Sequence, residues 1–347
     1  MIERKHVVDF LQDLNDALLL DVRSPAEYAH AHIPNAISFP LFSDEERKVV
    51  GTAYKQESRE KAIKIGLDYF GPKMRKMVEE VEKLQAGDTR KVLVHCWRGG
   101  MRSGGVAWLL DLYGFKVTTL DGGYKAFRNW VLNQFTLNYR IKIIGGYTGS
   151  GKTEILRELK RNGEQTVDLE QLASHKGSAL GGIGLPPQPS QEMFENLLAL
   201  ELSRLDRTKT VWLEDESQRI GDRNIPNDLM AQMKEGPVYF LDIPFEKRLD
   251  YLLLEYGKLP VEKMVNGIIR IKKRLGGLET KNAINHLIEG ETRKSFEILL
   301  RYYDRWYDKG MTDRQGQITR LESDTVKVEN NCELLLEKKT AQVQKSE

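Results

Sequence analysis

The sequence predicts two α/β domains in tandem, each built on a parallel sheet, the second carrying a helical C-terminal part. Three observations carry this. Short apolar stretches of strand length alternate with helix-length segments up to about residue 245, the pattern of parallel sheets covered by helices. At two places, around Cys96 and across residues 146–153, an apolar strand runs into a glycine-containing loop that opens a helix. The chain has 347 residues, more than one ordinary domain holds.

The elements follow in order. In the first domain, expected over 5–131, residues 17–22 (ALLLDV) read as a buried strand. Ser24, Pro25 and Glu27 have the spacing of a capping box with proline in the first turn, so 24–30 reads as a capped helical turn. Residues 36–39 form a second strand, and 59–85 are helical with a break at Gly71-Pro72. Then come strand 91–95 (KVLVH), helix 104–113, strand 116–120 and helix 122–130. Residues 132–139 are the expected linker. The second domain, 140–245, starts with strand 140–144 (RIKII) and helix 154–161. Further strands are expected at 166–169, 210–214 and 238–243, a helix at 191–204, and a Gly-Pro-rich loop at 177–189. Residues 246–330 read as a helical, basic part and 331–347 as a charged tail, frayed or helical.

Composition narrows the function class. With 40% hydrophobic and 30% charged residues the chain is an ordinary folded protein. No apolar run approaches the roughly 20 residues that cross a bilayer. Residues 1–10 carry charges where a secretion signal has its apolar stretch. A cytoplasmic protein with no membrane partner is expected. The net charge of +2 means that any nucleic-acid surface must be a local patch. The only cysteines, Cys96 and Cys332, are too few for a four-cysteine zinc site. In a reducing compartment they are not expected to pair. Cys332 has no readable chemical context.

The stretch KVLVHCWRGGMRSGGVAWLL (91–110) is the most informative. Cys96 ends a strand and is followed by Trp97, Arg98, Gly99, Gly100, Met101 and Arg102 before the expected helix. Amides of such a loop and the helix N-terminus converge on the thiol and suit an anion. Together with Arg98 or Arg102 they lower the thiol pKa, giving a nucleophile for phosphorus, sulfur or selenium centres. The bland alternative, one more buried small residue at a strand end, is disfavoured by the His-Cys-x5-Arg spacing with two glycines. His95 is expected to brace the loop.

The second constellation is Gly146-Tyr147-Thr148-Gly149-Ser150-Gly151-Lys152-Thr153, a P-loop pattern between a strand and a helix. Amides of Gly149 to Thr153 are expected to cradle phosphate oxygens, with Lys152 supplying charge and Thr153 a ligand for Mg²⁺. Residues 211–215 (VWLED) form a candidate acidic strand end; Glu214, Asp215 and Glu216 are candidate metal-associated carboxylates. The motif does not specify its phosphorylated ligand.

Both halves resemble known families. LLLDVRSPAEYAHAHIPNAISFP (18–40) and VTTLDGGYKAFRNW (117–130) resemble the N- and C-terminal motifs of rhodanese domains, which implies a rhodanese-like fold for 5–131. In that family the cysteine carries a persulfide or related chalcogen. Asp21 and Arg23 fall in its Asp-Val-Arg motif and are read as structural. The Cys96-x5-Arg102 loop has the length found in cysteine phosphatases and leaves sulfur, phosphoryl and selenophosphate chemistry open.

A rhodanese-like domain followed by a P-loop NTPase-like α/β domain is similar to the tRNA 2-selenouridine synthase family. DLEQLASHKGSALGGIG (168–184), PQPSQEMFEN (187–196) and LEDESQRIGDRNIP (213–226) extend the resemblance over most of 5–310. It implies a transferase acting on tRNA, at wobble 2-thiouridine in the anticodon loop, with Cys96 as catalytic residue. Selenophosphate and geranyl diphosphate are the implied co-substrates, with a selenophosphate supplier as a partner. The P-loop then holds geranyl diphosphate, a nucleotide or both, with its apolar part near 180–187. Selenium arrives directly from selenophosphate or through a Cys96 selenyl intermediate. The alternative is a cysteine phosphatase or sulfurtransferase fused to a kinase-like domain. The clusters Lys247-Arg248, Lys272-Lys273-Arg274 and RYYDRW (301–306) are candidate RNA contacts, though any one of them taken alone reads more readily as a solvated helix face.

Overall fold

The computed structural model describes residues 2–85, 91–312 and 317–343. The chain divides into two compact units, Met1–Gln134 with Glu195–Leu200, and Phe135–Phe194 with Glu201–Glu347. Both are α/β with parallel five-stranded sheets.

The first unit contains β1 (Glu3–Lys5), α1 (Val7–Gln12), β2 (Leu18–Asp21), α2 (Pro25–His30), β3 (Ile37–Ser38), α3 (Asp44–Gln56), α4 (Arg59–Phe70), α5 (Met74–Leu84), β4 (Lys91–His95), α6 (Met101–Tyr113), β5 (Lys116–Leu120) and α7 (Gly123–Gln134). Strand order is β1-β5-β4-β2-β3, which puts β4 at the centre. Its Val92, Leu93 and Val94 are all buried, as expected of a strand covered on both faces. Leu20, Val22, Val94, Val106 and Leu110 pack in one core with Cys96 at its edge. The capping box forms: Ser24 N–H donates to Glu27 Oε2 at 3.0 Å.

The second unit contains β6 (Arg140–Gly146), α8 (Lys152–Arg161), β7 (Gln165–Val167), α9 (Leu169–Ala173), α10 (Gln191–Ser203, of which 195–200 group with the first unit), β8 (Thr210–Glu214), β9 (Arg219–Ile220), β10 (Arg223–Asn224), α11 (Asn227–Glu235), β11 (Val238–Asp242), α12 (Phe245–Tyr256), α13 (Val261–Arg270), α14 (Lys272–Leu275), α15 (Gly277–Ile288), α16 (Thr292–Thr312), β12 (Ile318–Glu322) and α17 (Val328–Val343). Its main sheet runs β12-β11-β6-β8-β7, and β9 and β10 form a small antiparallel pair. Successive strands depart to opposite sides of β6, so a crevice opens beyond its carboxyl end, where α/β proteins bind ligands.

Several expectations are corrected. The 132–139 linker starts inside α7, which runs to Gln134. The 246–330 part is not wholly helical: β12 lies in it and pairs in parallel with β11. The 331–347 tail is not a separate charged extension over its described part. There it belongs to α17, whose Cys332 and Leu335 are buried with Leu156 and Leu159 of α8; 344–347 lie outside the described residues. The helix expected at 104–113 starts at Met101, and that expected at 154–161 starts at Lys152.

Candidate active sites in the two units

Cys96 leaves the end of β4 and is 3% exposed. The loop behind it is held by backbone. Tyr124 N–H donates to Cys96 O at 2.8 Å, and Lys125 N–H to Trp97 O at 2.9 Å. Gly99 and Gly123 have φ of +62° and +60°. A Cβ on Gly123 would sit 2.4 Å from Cys96 O, and one on Gly99 would sit 2.5 Å from Leu120 O. Only glycine allows that approach in that conformation.

Because α6 begins at Met101, Ser103 falls in its first turn and faces the thiol. Ser103 Oγ lies 3.2 Å from Cys96 Sγ and donates to Gly100 O at 3.2 Å. Burial alone would raise the Cys96 pKa. The Ser103 hydroxyl, the Ser103 amide, the Arg102 charge and the Gly100 amide reverse that, and the thiol lies below its ordinary value. Ser103 was missed from sequence because the helix start was placed too late. Arg102 does bias the thiol, but its guanidinium is engaged by Glu27, at 2.6 and 3.3 Å. Burial pushes the Glu27 carboxyl up, and Arg102 together with the Ser24 amide holds it below the usual range. Trp97, Arg98, Gly100 and Met101 are exposed around the thiol, and Trp97 lies 5.8 Å from the Tyr124 ring.

Asp21 and Arg23 form a buried ion pair beneath the loop, with Arg23 Nη2 to Asp21 Oδ2 at 2.6 Å. Arg23 also donates to Ala31 O and lies 3.8 Å from the centre of the Tyr124 ring. Burial would raise the Asp21 carboxyl; the His95 ring and Arg23 outweigh it, leaving Asp21 below the usual range. Burial pushes His95 down to about 4, so at neutral pH Arg23 carries the pairing. His95 is fully buried, with its ring beside that of Tyr124.

In the second unit the P-loop leaves the end of β6. A Cβ on Gly149 (φ +84°) would lie 2.8 Å from Arg248 O, so α12 packs directly on the loop. Arg248 is buried; it donates to Thr148 O at 3.0 Å and to both Asp304 oxygens at 3.0 and 2.8 Å. Ser150 Oγ donates to Tyr147 O, and Lys152 Nζ to Gly146 O at 2.8 Å. Gly146 N–H donates to Tyr307 Oη at 3.3 Å, and Tyr307 in turn donates to Asp215.

Thr153 Oγ1 donates to Glu170 Oε2 at 3.1 Å and Glu214 Oε2 at 3.2 Å. Glu170, Glu214 and Glu216 each bring an oxygen within 4.8 Å of the others. Burial pushes all three up; the charge of Glu170 adds to this at Glu214 and Glu216, and Asp168 adds to it at Glu170, with Glu216 at about 8. The acidic trio differs from the expected group: Asp215 lines one cavity with these three but accepts from Tyr307 and stands outside the trio. Glu170, which follows β7, takes its place.

These residues line a cavity of about 950 Å³. The P-loop and the three glutamates share its lining with apolar and aromatic side chains, among them Leu180, Phe296, Leu299, Leu300, Tyr302 and Tyr303, and with charged ones such as Lys176, Lys234, Glu255 and Arg274. The sequence placed the apolar part near 180–187; Leu180, Leu185 and Pro186 do line it, but α16 supplies most of its aromatic rings. Of the candidate RNA clusters, Lys272, Lys273 and Arg274 are exposed, whereas Arg248 is spent on holding the P-loop. The first unit thus offers a tuned nucleophile, and the second an anion cradle joined to a cluster of apolar and aromatic side chains.

Comparison with known proteins agrees with both halves. Residues 6–129 match the rhodanese-like domain, and 139–334 match the family described as tRNA 2-selenouridine synthase AAA domain. A tRNA 2-selenouridine synthase of Marinobacter nauticus is 33% identical, the match covering 92% of this chain and 95% of that protein. Those of Sulfurovum sp. and Hydrogenovibrio crunogenus are also 33% identical, covering 85% and 88% of this chain and 89% and 92% of theirs. Among the described residues no helix is long and apolar enough to cross a membrane. With a relative this similar along nearly its whole length, the chain belongs to the tRNA 2-selenouridine synthase family.

Proposed function

We propose that this enzyme replaces sulfur by selenium at wobble 2-thiouridine in the anticodon loop of tRNA, in the cytoplasm, using geranyl diphosphate in the P-loop unit and selenophosphate at the Cys96 loop. The observation that carries the reading is a cavity whose lining joins the P-loop to a cluster of apolar and aromatic side chains, Leu180, Phe296, Leu299 and Leu300 among them. A diphosphate with a hydrocarbon tail uses both parts of it, which favours that ligand over a nucleotide.

In the first stage the thiocarbonyl sulfur attacks C1 of the geranyl group; the C–O bond breaks, diphosphate leaves, held by Lys152 and the loop amides, and the N3 proton of the base is released to solvent as a C2=N3 bond forms. Mg²⁺ fits the same place. Thr153, Glu170, Glu214 and Glu216 offer the oxygen donors a hard cation takes, and Glu214 has one buried oxygen, Oε1, with no hydrogen-bond partner. When bound, such an ion supplies charge neutralisation to the diphosphate. In the second stage the Cys96 thiolate attacks phosphorus of selenophosphate; an S–P bond forms as the Se–P bond breaks. The released hydroselenide adds to C2 and expels geranylthiolate, which takes up the proton. Water then hydrolyses the phosphorylated cysteine. Selenophosphate comes from a reaction that phosphorylates selenide, so an enzyme of that class is the expected supplier.

The test is mass spectrometry of nucleosides from tRNA bearing wobble 2-thiouridine, incubated with the enzyme, geranyl diphosphate and selenophosphate. Conversion to 2-selenouridine through an S-geranyl intermediate supports the reading. Unchanged thiouridine with folded protein and intact reagents rejects it; turnover of an aryl phosphate at Cys96 would then favour the phosphatase alternative.

A further inference from the structure

Trp306 differs from the other cavity-lining rings. Residues 299, 302, 303, 306 and 307 recur at helical spacing along α16 and line the same cavity as Lys152 and Thr153. Leu299 and Tyr302 are buried, and Tyr303 and Tyr307 are half-buried. Trp306 is 48% exposed, so it marks the opening of the chamber to solvent.

Cations surround this ring. The Arg274 guanidinium lies 5.4 Å and the Lys309 ammonium 5.8 Å from the Trp306 ring centre. Lys272, Lys273 and Arg305 are exposed nearby in sequence. The acids of the same stretch of α16 are occupied: Asp304 by Arg248 and Asp308 by the Tyr147 hydroxyl. A half-exposed indole flanked by positive charge suits single-stranded RNA, whose bases stack on aromatic rings while the adjoining phosphates meet cations. A hydrocarbon tail gains nothing from the cations and is better served by the buried walls.

We propose that Trp306, with Arg274 and Lys309 beside it, is a stacking platform for an unpaired nucleobase of RNA at the mouth of the P-loop cavity. This rests on the tRNA reading above. It assigns the base-receiving surface to α16 and gives RYYDRW a role that its cations alone do not explain.

The experiment compares the full-length enzyme with Trp306→Ala and Trp306→Phe. A short fluorescent anticodon stem-loop RNA bearing wobble 2-thiouridine is titrated at fixed salt, and geranyl diphosphate binding is measured in parallel. The expected result is roughly tenfold or more loss of stem-loop affinity in Trp306→Ala, near-complete retention in Trp306→Phe, and an effect on geranyl diphosphate binding much smaller than that on stem-loop binding. Stem-loop affinity unchanged in Trp306→Ala, with the wild type binding well, overturns the platform and leaves the tRNA reading standing. Weakened geranyl diphosphate binding with intact stem-loop binding overturns it too, assigning the ring to the tail. A wild-type enzyme that does not bind the stem-loop rejects the tRNA reading and the platform with it.

Discussion

The loop after β4 and the loop after β6 share a local plan and differ in what surrounds them. Each leaves the carboxyl end of its sheet's central strand, turns through glycine at positive φ and runs into a helix N-terminus. At Cys96 the loop is packed tightly on backbone: Gly99 and Gly123 bring it against the start of α7, and Ser103 Oγ lies 3.2 Å from the sulfur. At the P-loop it is open, with about 950 Å³ in front of Lys152 and Thr153. Under the proposed function the first loop needs one atom tuned by close dipoles and the second needs charge and room for a phosphorylated ligand, and the two surroundings suit that division.

The sharpest break in this comparison is Cys96→Ser. It is expected to cut selenation about 10³-fold or more and leave geranylation intact, so that S-geranyl-2-thiouridine accumulates in the nucleoside mass spectrum. Loss of geranylation as well would show that the two loops do not divide the work.

Lys152→Ala tests the other loop. Geranyl transfer should fall about 10²- to 10³-fold, the usual cost of losing one preorganised electrostatic partner. Alkylation of Cys96 by iodoacetamide should proceed at the wild-type rate. A slowed alkylation would contradict independent tuning.

Stability separates the units next. Asp21→Ala leaves Arg23 buried without its partner and should destabilise the first unit by about 3–5 kcal/mol, read from its urea transition. In the second unit the sign comes from the glutamates. Glu216 is raised from 4.5 to about 8, and Glu170 and Glu214 shift the same way. Acids raised by folding bind more protons folded than unfolded, so their stabilisation is full below about pH 4.5 and is lost as pH rises towards 8. Without divalent cation, the melting temperature of this unit should fall over that range. Mg²⁺ should restore it most at the alkaline end, and Glu216→Gln should flatten the slope. A melting temperature that rises from pH 5 to 8 would refute the shared-acid picture.

The smallest effect concerns the thiols. Cys332 is pushed up to about 11 by burial, whereas Cys96 is lowered. At neutral pH iodoacetamide should therefore modify Cys96 first, located by peptide mass spectrometry. Glu27→Gln removes the negative charge facing Arg102 and should speed that reaction modestly; a slower one would mean that Glu27 holds Arg102 where the thiolate needs it.

The course of both loops was legible in the sequence because each is a contiguous run: apolar strand, glycines, helix, and one Cys or one Lys at a fixed place. The α/β alternation and the structural role of Asp21 and Arg23 were legible for the same reason. The single edge strand β12 was not. Its ITRLE sequence has one buried side chain, Leu321, and its pairing partner lies some 80 residues earlier in β11.

What tertiary structure alone decided is who stands around each loop. Glu27 meets Arg102 across 75 residues of sequence, and Tyr307 meets Gly146 across 161. Glu170 displaces Asp215 from the acidic group, and α16 brings its rings to the P-loop. These pairings depend on strand order and helix docking, which bring distant segments together and which no local spacing encodes. The sequence by itself determined the strand, glycine turn and helix around Cys96 and Lys152; the packing of remote helices determined the charge, proton affinity and room around each.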